Sequence, residues 1–219
     1  MRGQNLRPRR PSRPSYQFLR SLYRLGYRRI VGVDEVGRGA LCGPICVAAV
    51  ELTKKVAGVT DSKLVAAHRR TSLCKLIKRA ASQISLGWVS HREIDRFGVT
   101  KALGLAYERA LEGIEADLIL TDHYRLPATK RFLKAAKGDR LFYPVAAASI
   151  VAKVCRDQLM KVYSLQFPQF GWGQNVGYDT AYHRQAIISY GPTQLHRQSF
   201  LRIKKGRWRE RRAKPPPSK

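Results

Sequence analysis

Residues 31–39 read Val31-Gly32-Val33-Asp34-Glu35-Val36-Gly37-Arg38-Gly39, and the fold turns on them. A β-branched apolar run ends in two adjacent carboxylates and passes at once into a Gly-Arg-Gly turn. A short apolar run bounded by turn residues predicts a buried strand from Ile30 to Glu35. Carboxylates at a strand end supply the oxygen donors that hard divalent cations prefer. The flanking glycines let backbone amides come close to a phosphodiester or a ribose, and a guanidinium matches phosphate geometry. Period-two alternation sends Asp34 and Glu35 to opposite faces. Both can serve one site only if the strand ends or twists here, which Gly37 and Gly39 permit. A solvated turn between two strands is the plainer reading of the motif alone.

Outward from this stretch, Pro44 precedes an apolar run, Ile45 to Leu52, that predicts a second strand antiparallel to the first. Upstream, residues 16–26 pattern as a short helix with Phe18, Leu19, Leu22 and Leu25 on one side and Gly26 as its stop. Downstream, Asp61-Ser62-Lys63 lies in a polar loop before a basic helix over roughly 67–81. Alternation marks a third strand over 84–89. Ser90-His91-Arg92-Glu93 has the pattern of a capping box, and Val99, Leu103, Ala106 and Ala110 then share a helical face. A short buried strand follows, from Asp117 to Thr121, ending at Asp122. Residues 131–138 stay ambiguous between helix and strand. A long helix is signalled over 145–163, with Lys153, Arg156 and Asp157 on its polar face. Another near 180–189 is broken by Gly191-Pro192.

The chain has 219 residues, 44% of them apolar, which suits one domain with appendages. Its formal charge is +27. Residues 1–30 carry nine arginines and no acid, and residues 201–219 carry nine bases against one acid. A basic middle with basic ends is an electrostatic footprint for nucleic acid. An anionic membrane is the weaker alternative, since no run of about 20 apolar residues could span one. Cys42, Cys46, Cys74 and Cys155 lack metal-ligand spacing and read as buried thiols in a reducing compartment. The Arg-rich start has no apolar core of a secretory signal, so the expected location is the cytoplasm.

Asp34, Glu35, Asp122 and Asp139 all stand at strand ends or turns. Spacing alone does not bring Asp122 and Asp139 to the first pair, because an aspartate there is equally a cap or turn former. The order of blocks, however, resembles ribonuclease HII. The opening Asp34-Glu35-Val36-Gly37-Arg38-Gly39 matches that family's first motif, and Ala40-Leu41-Cys42-Gly43-Pro44 its small-residue loop. Leu118-Ile119-Leu120-Thr121-Asp122 and Lys137-Gly138-Asp139 are similar to its next two acidic segments. Residues 146–157 resemble its most distinctive helix. Gly177-Tyr178, Thr180 and His183 then follow its Gly-Tyr-x-Thr-x-x-His pattern, and Gly191-Pro192-Thr193, His196-Arg197 and Ser199-Phe200 its last signature.

The resemblance implies an α/β ribonuclease H-like fold: a mixed five-stranded sheet flanked by helices, with a C-terminal helical portion from about residue 155. The catalytic domain would cover 16–202, between a disordered basic arm (1–15) and a basic tail (203–219). It also implies Mn²⁺- or Mg²⁺-assisted hydrolysis of the RNA strand of RNA–DNA hybrids, and cutting at single ribonucleotides within duplex DNA. The products would be 5′-phosphate and 3′-hydroxyl ends, and the enzyme a monomer. Asp34, Glu35, Asp122 and Asp139 would be catalytic and hold the metal; Gly37, Arg38, Gly39, Ser62, Lys63 and Tyr178 would bind substrate. Close backbone contact can sense a 2′-hydroxyl, and an aromatic ring can stack on the sugar that lacks one.

Three departures from the family pattern stand out. The Asp-Ser-Lys-Lys-Leu loop is one lysine short at Asp61-Ser62-Lys63-Leu64; Asp-Gly becomes Asp122-His123; and His-Lys before Gly-Tyr becomes Asn175-Val176. Two other readings compete. A non-catalytic basic nucleic-acid-binding protein would tolerate loss of the four acids. A DNA-acting resolvase or integrase would share the acids but not the Gly-Arg-Gly and Gly-Tyr-x-Thr blocks.

Overall fold

The computed structural model describes residues 14–208 except Asp61, His123, 127–130, Arg202 and 205–206. Expectations for residues 1–13, for Asp61 and His123, and for the tail beyond residue 208 lie outside the described residues. Helix α1 (Tyr16–Arg24) starts where the Ser15 hydroxyl accepts the Phe18 amide at 3.3 Å. It buries Leu19 and Leu22, whereas Leu25 is 75% exposed. The helix stops at Arg24, with Leu25 as its C-cap.

Strands β1 (Ile30–Val36) and β2 (Ile45–Leu52) pair antiparallel across the Gly-rich turn, as the sequence predicts. Helix α2 (Ala67–Ala80) runs straight into β3 (Ala81–Val89), which begins three residues earlier than its alternation suggests. Helix α3 (His91–Leu111) begins with the expected capping box: the Ser90 amide donates to Glu93 Oε2 at 2.8 Å, and the Glu93 amide donates back to Ser90 Oγ at 3.3 Å. Gly98, at φ 77° and ψ 155°, breaks it into two helical segments. Strand β4 (Leu118–Asp122) is followed by β5 (Phe132–Ala135) and one turn of helix, α4 (Gly138–Leu141), which settles the ambiguous 131–138 stretch as strand. Helices α5 (Tyr143–Gln166), α6 (Trp172–Asn175) and α7 (Ala181–Tyr190) come next. Where the sequence suggested only a charged tail, β6 (Ile203–Lys204) pairs antiparallel with β7 (Arg207–Trp208).

The main sheet is mixed, in the order β3-β2-β1-β4-β5, with β1, β4 and β5 parallel. On β2, Cys46, Ala48, Val50 and Leu52 pack with α2 and α5 residues, including Ile77, Ala147 and Val151. Another apolar cluster joins Leu19 and Leu22 to Ile30, Leu118, Leu120 and Val145. Helix α5 approaches β1 closely: a Cβ at Gly32 would lie 2.1–2.4 Å from the Pro144–Val145 backbone. Only glycine fits there.

The described chain divides into two compact units. One takes residues up to 36, 46–88 and 105–155; the other takes 37–45, 89–104 and 156 onward. The first holds the sheet and the clusters just named. The second has its own core of Leu41, Cys42, Met160, Phe170, Trp172, Val176, Ala186 and Ile187. Arg156, placed by periodicity on a polar face, is fully buried within this second unit. Among the described residues no helix is long and apolar enough to cross a membrane.

Candidate active site

Pairing of β1 with β4 ends at Val33↔Thr121, while pairing of β1 with β2 continues to Val36↔Cys46. Asp34 and Glu35 therefore stand just past the β4 ladder, and Asp122 closes β4 itself. Parallel strands deliver their carboxyl ends to one edge, where open α/β sheets bind ligands. Alternation along β1 directs the two acids to different supports. Asp34 follows Gly32 on the side of α5, and its carboxylate accepts a hydrogen bond from Ser149. Glu35 is turned toward α3, where Tyr107 donates its phenol proton to Glu35 Oε2 at 2.7 Å. Asp122 Oδ1 accepts the Gly138 amide at 2.9 Å, and Asp139 follows directly, buried in α4.

The four acids converge electrostatically. Burial pushes the Asp34 carboxyl well above the usual range, Glu35 adds to that shift, and Asp122 and Asp139 contribute further, against the lowering effect of Ser149. Tyr107 is raised by burial and then by Glu35, Asp34 and Asp122. A buried carboxylate whose proton affinity is raised by three neighbouring acids belongs to a donor set suited to a cation. All the side-chain donors are oxygens, which fits a hard divalent ion better than a thiophilic one.

Of the remaining candidates in this unit, Ser62 has a buried side chain, with its hydroxyl 2.9 Å from that of Ser149, which in turn hydrogen-bonds Asp34. Lys63 is exposed. Sequence reasoning missed Tyr107 and Ser149. Tyr107 sits in a helix beside alanines with no signal to distinguish it from core, and Ser149 is one small residue in an alanine run.

The Gly-Arg-Gly turn and Tyr178 belong to the second unit. The Gly37 amide donates to Tyr178 Oη at 3.1 Å, and the Arg156 guanidinium lies 5.3 Å from the tyrosine ring centroid. Gly37 has φ +93°, and a Cβ there would meet Arg156 Nε at 2.2 Å and the Pro44 carbonyl oxygen at 2.7 Å. Gly39 has ordinary φ and open space where a Cβ would be. Folding thus requires glycine at 37 and not at 39. Asn175 and Val176, in place of His-Lys, are structural. The Asn175 carboxamide oxygen accepts the Gly177 amide at 2.8 Å, and Val176 takes a left-handed conformation, φ 44°, with its carbonyl on Arg156.

Behind Tyr178, the ligand atoms of Cys42, His183 and His196 lie within 4.8 Å of one another. The imidazole nitrogens are already committed. His183 Nδ1 donates to the Tyr178 carbonyl at 2.9 Å, which leaves Nε2 to accept from the Trp172 indole at 2.9 Å. His196 Nδ1 accepts the Thr193 amide at 2.8 Å and directs its Nε2 proton to His183 Nε2, 3.2 Å away. Burial lowers both imidazoles, His196 to about 4, and raises the Cys42 thiol to about 12. This is a closed neutral network that fixes Tyr178, not a metal site.

Comparison with known proteins places the chain in a family. The Ribonuclease HII family model matches residues 31–203. A ribonuclease HII of Synechococcus sp. (strain JA-3-3Ab) is 41% identical over 198 residues, covering 87% of this chain and 90% of the relative. That of Moorella thermoacetica is 44% identical over 190 residues, covering 84% and 92%. Among solved structures, the ribonuclease HII in the PCNA:RNase HII complex from Archaeoglobus fulgidus aligns with a TM-score of 0.71 at 22% identity, covering 83% of this chain and 98% of that one. An RNase HIII in complex with Mn²⁺ aligns at 0.59 and 22% identity, covering 74% and 63%. At such identities these structures bear on the fold alone.

Proposed function

The chain belongs to the ribonuclease HII family of metal-dependent endoribonucleases acting on RNA–DNA hybrids, and on that premise we propose that it also cuts at single ribonucleotides embedded in duplex DNA. Asp34, Glu35, Asp122 and Asp139 are the catalytic residues in this reading. The observation that carries it is their convergence at the carboxyl ends of β1 and β4, registered in the raised proton affinity of Asp34. These four carboxylates would hold Mg²⁺ or Mn²⁺. Bound by them, such an ion would supply Lewis-acid polarisation of a phosphate oxygen and a counter-charge for the leaving group.

The protein's own groups do the rest. Ser149 and Tyr107 aim Asp34 and Glu35, and the Gly138 amide aims Asp122. The outward surface of the Gly37-Arg38-Gly39 turn takes the ribonucleotide, where backbone contact can sense a 2′-hydroxyl. The half-buried Tyr178 ring, fixed at its hydroxyl and its carbonyl, stacks on the following deoxyribose. The basic surface supplies general affinity for duplex. The enzyme acts as a monomer with 5′-phosphate and 3′-hydroxyl products.

The test is cleavage of a DNA duplex carrying one ribonucleotide, in Mg²⁺, in Mn²⁺ and in excess chelator, with end analysis of the products. A cut at the ribonucleotide in either metal, leaving 5′-phosphate and 3′-hydroxyl ends, and none in chelator, is expected. Uncut duplex in both metals, with the continuous hybrid still cut, overturns the embedded-ribonucleotide reading.

A further inference from the structure

We infer that Arg156 and Arg197 are positioning residues that set the peptide orientation of the 37–44 turn, and through it the discrimination between a ribonucleotide and its deoxyribonucleotide neighbour, without touching substrate. Both side chains are fully buried. Arg197 donates through Nη2 to the carbonyls of Gly37 and Gly43, each at 2.8 Å, through Nη1 to that of Arg38 at 3.0 Å, and through Nε to Gly43 at 3.0 Å. Arg156 donates through Nε to the Pro44 carbonyl at 2.9 Å, through Nη2 to that of Cys42 at 3.1 Å, and through Nη1 to that of Val176 at 2.8 Å. The carbonyls of 37, 38, 42, 43 and 44 therefore all face a guanidinium.

A trans peptide is planar, with its C=O and N–H on opposite sides. Drawing the Gly37 and Arg38 carbonyls onto Arg197 thus turns the amides of Arg38 and Gly39 the other way. Both residues are exposed, and among the described residues neither amide meets an acceptor. A charged donor on the carbonyl also polarises the peptide, so the amide at its far end donates more strongly. The fork geometry matters: a lysine ammonium carries the same charge but cannot span three carbonyls in one plane. Arg156 holds Tyr178 by the same means, since its guanidinium packs on that ring while gripping Val176 two residues earlier. Two like charges buried together are a poor way merely to staple a fold. Burial and then Arg156 lower Arg197 to about 9.

The inference rests on the junction reading proposed above, and its test separates the two. Arg197→Lys and Arg156→Lys are assayed on a single embedded ribonucleotide and on a continuous hybrid. In variants that fold, KM for the embedded ribonucleotide should rise about tenfold or more, the scale of a lost charge-assisted hydrogen bond. The kcat on the continuous hybrid should stay within about threefold of wild type. Equal losses on both substrates, or none, overturn the inference and leave the junction reading standing. A wild-type protein that never cuts the embedded ribonucleotide overturns the junction reading, and the inference with it. Should neither lysine variant fold, wild type in excess chelator decides by NMR with the embedded-ribonucleotide duplex. The Arg38 and Gly39 amides should shift on binding while the Arg156 and Arg197 Nε–H signals stay protected and unmoved. Guanidinium signals that shift with the duplex, or unshifted amides, overturn it.

Discussion

Tyr107 donates its phenol proton to Glu35 across 2.7 Å, from a helix 72 residues further along the chain. The donor is itself held by a stacked contact with Tyr124, ring centroids 3.9 Å apart. A carboxylate held in this way has its orientation fixed by a neutral donor. Tyr107→Phe retains the ring and removes only the proton. A hydrogen bond to a charged group contributes about 1.5–3 kcal/mol, so kcat should fall roughly 10- to 100-fold with a fold that melts normally. Single-turnover cleavage rates give the answer, and an unchanged rate would make Tyr107 a packing residue.

Asp34→Asn and Asp122→Asn should each lower cleavage on the order of a thousandfold or more, as should excess chelator. Duplex affinity, measured by anisotropy, should change little, because binding rests on the basic surface. In chelator Asp34→Asn should also melt a few degrees higher than wild type, since it removes a buried charge crowded by three others. Cleavage at wild-type rate in either variant would sink the site assignment.

Gly37→Ala and Gly39→Ala should part company. At Gly37 a methyl group meets Arg156 and the Pro44 carbonyl at a positive φ, so the variant should lose stability and activity together. At Gly39 nothing opposes it within the fold, so melting should match wild type while KM for ribonucleotide-containing duplex rises. A Gly39→Ala enzyme with normal KM would remove that residue from the substrate surface.

Tyr178→Ala should lose far more activity on a single embedded ribonucleotide than on a continuous hybrid, because only the former requires a deoxyribose to be recognised. Tyr178→Phe keeps the stacking face but leaves the Gly37 amide without its acceptor, and should lie between. Parallel rates on the two substrates test this. Equal loss on both would leave the tyrosine a packing role only.

His196 gives the fold an acid limit. Its folded pKa is depressed to about 4, by burial first and by His183 next. Below the unfolded value of about 6.5 the unfolded chain takes up a proton that the folded protein refuses. Stability from this group is therefore complete above about pH 6.5 and is lost as pH falls toward 4, at up to roughly 1.4 kcal/mol per unit. His183, also lowered, acts in the same direction. Urea midpoints from pH 7 to 5 should fall in wild type and fall less steeply in His196→Gln. Parallel slopes would mean that other groups set the acid limit.

The local grammar of the chain determined much of this protein. The bounds of β2, the Ser90–Glu93 cap and the break at Gly191 depend on propensity and capping within a few residues, and the sequence carries them. The ordered motifs also carried the family. Tertiary structure alone decided what supports the four acids. Alternation put Asp34 and Glu35 on opposite faces, and only the placement of Ser149 on one side and Tyr107 on the other shows how both are aimed. Periodicity put Arg156 on a polar helix face, and Arg197 stood only as one residue of the last signature. Their burial depends on carbonyls more than 100 residues away folding back to receive them, a long-range match that no local pattern encodes.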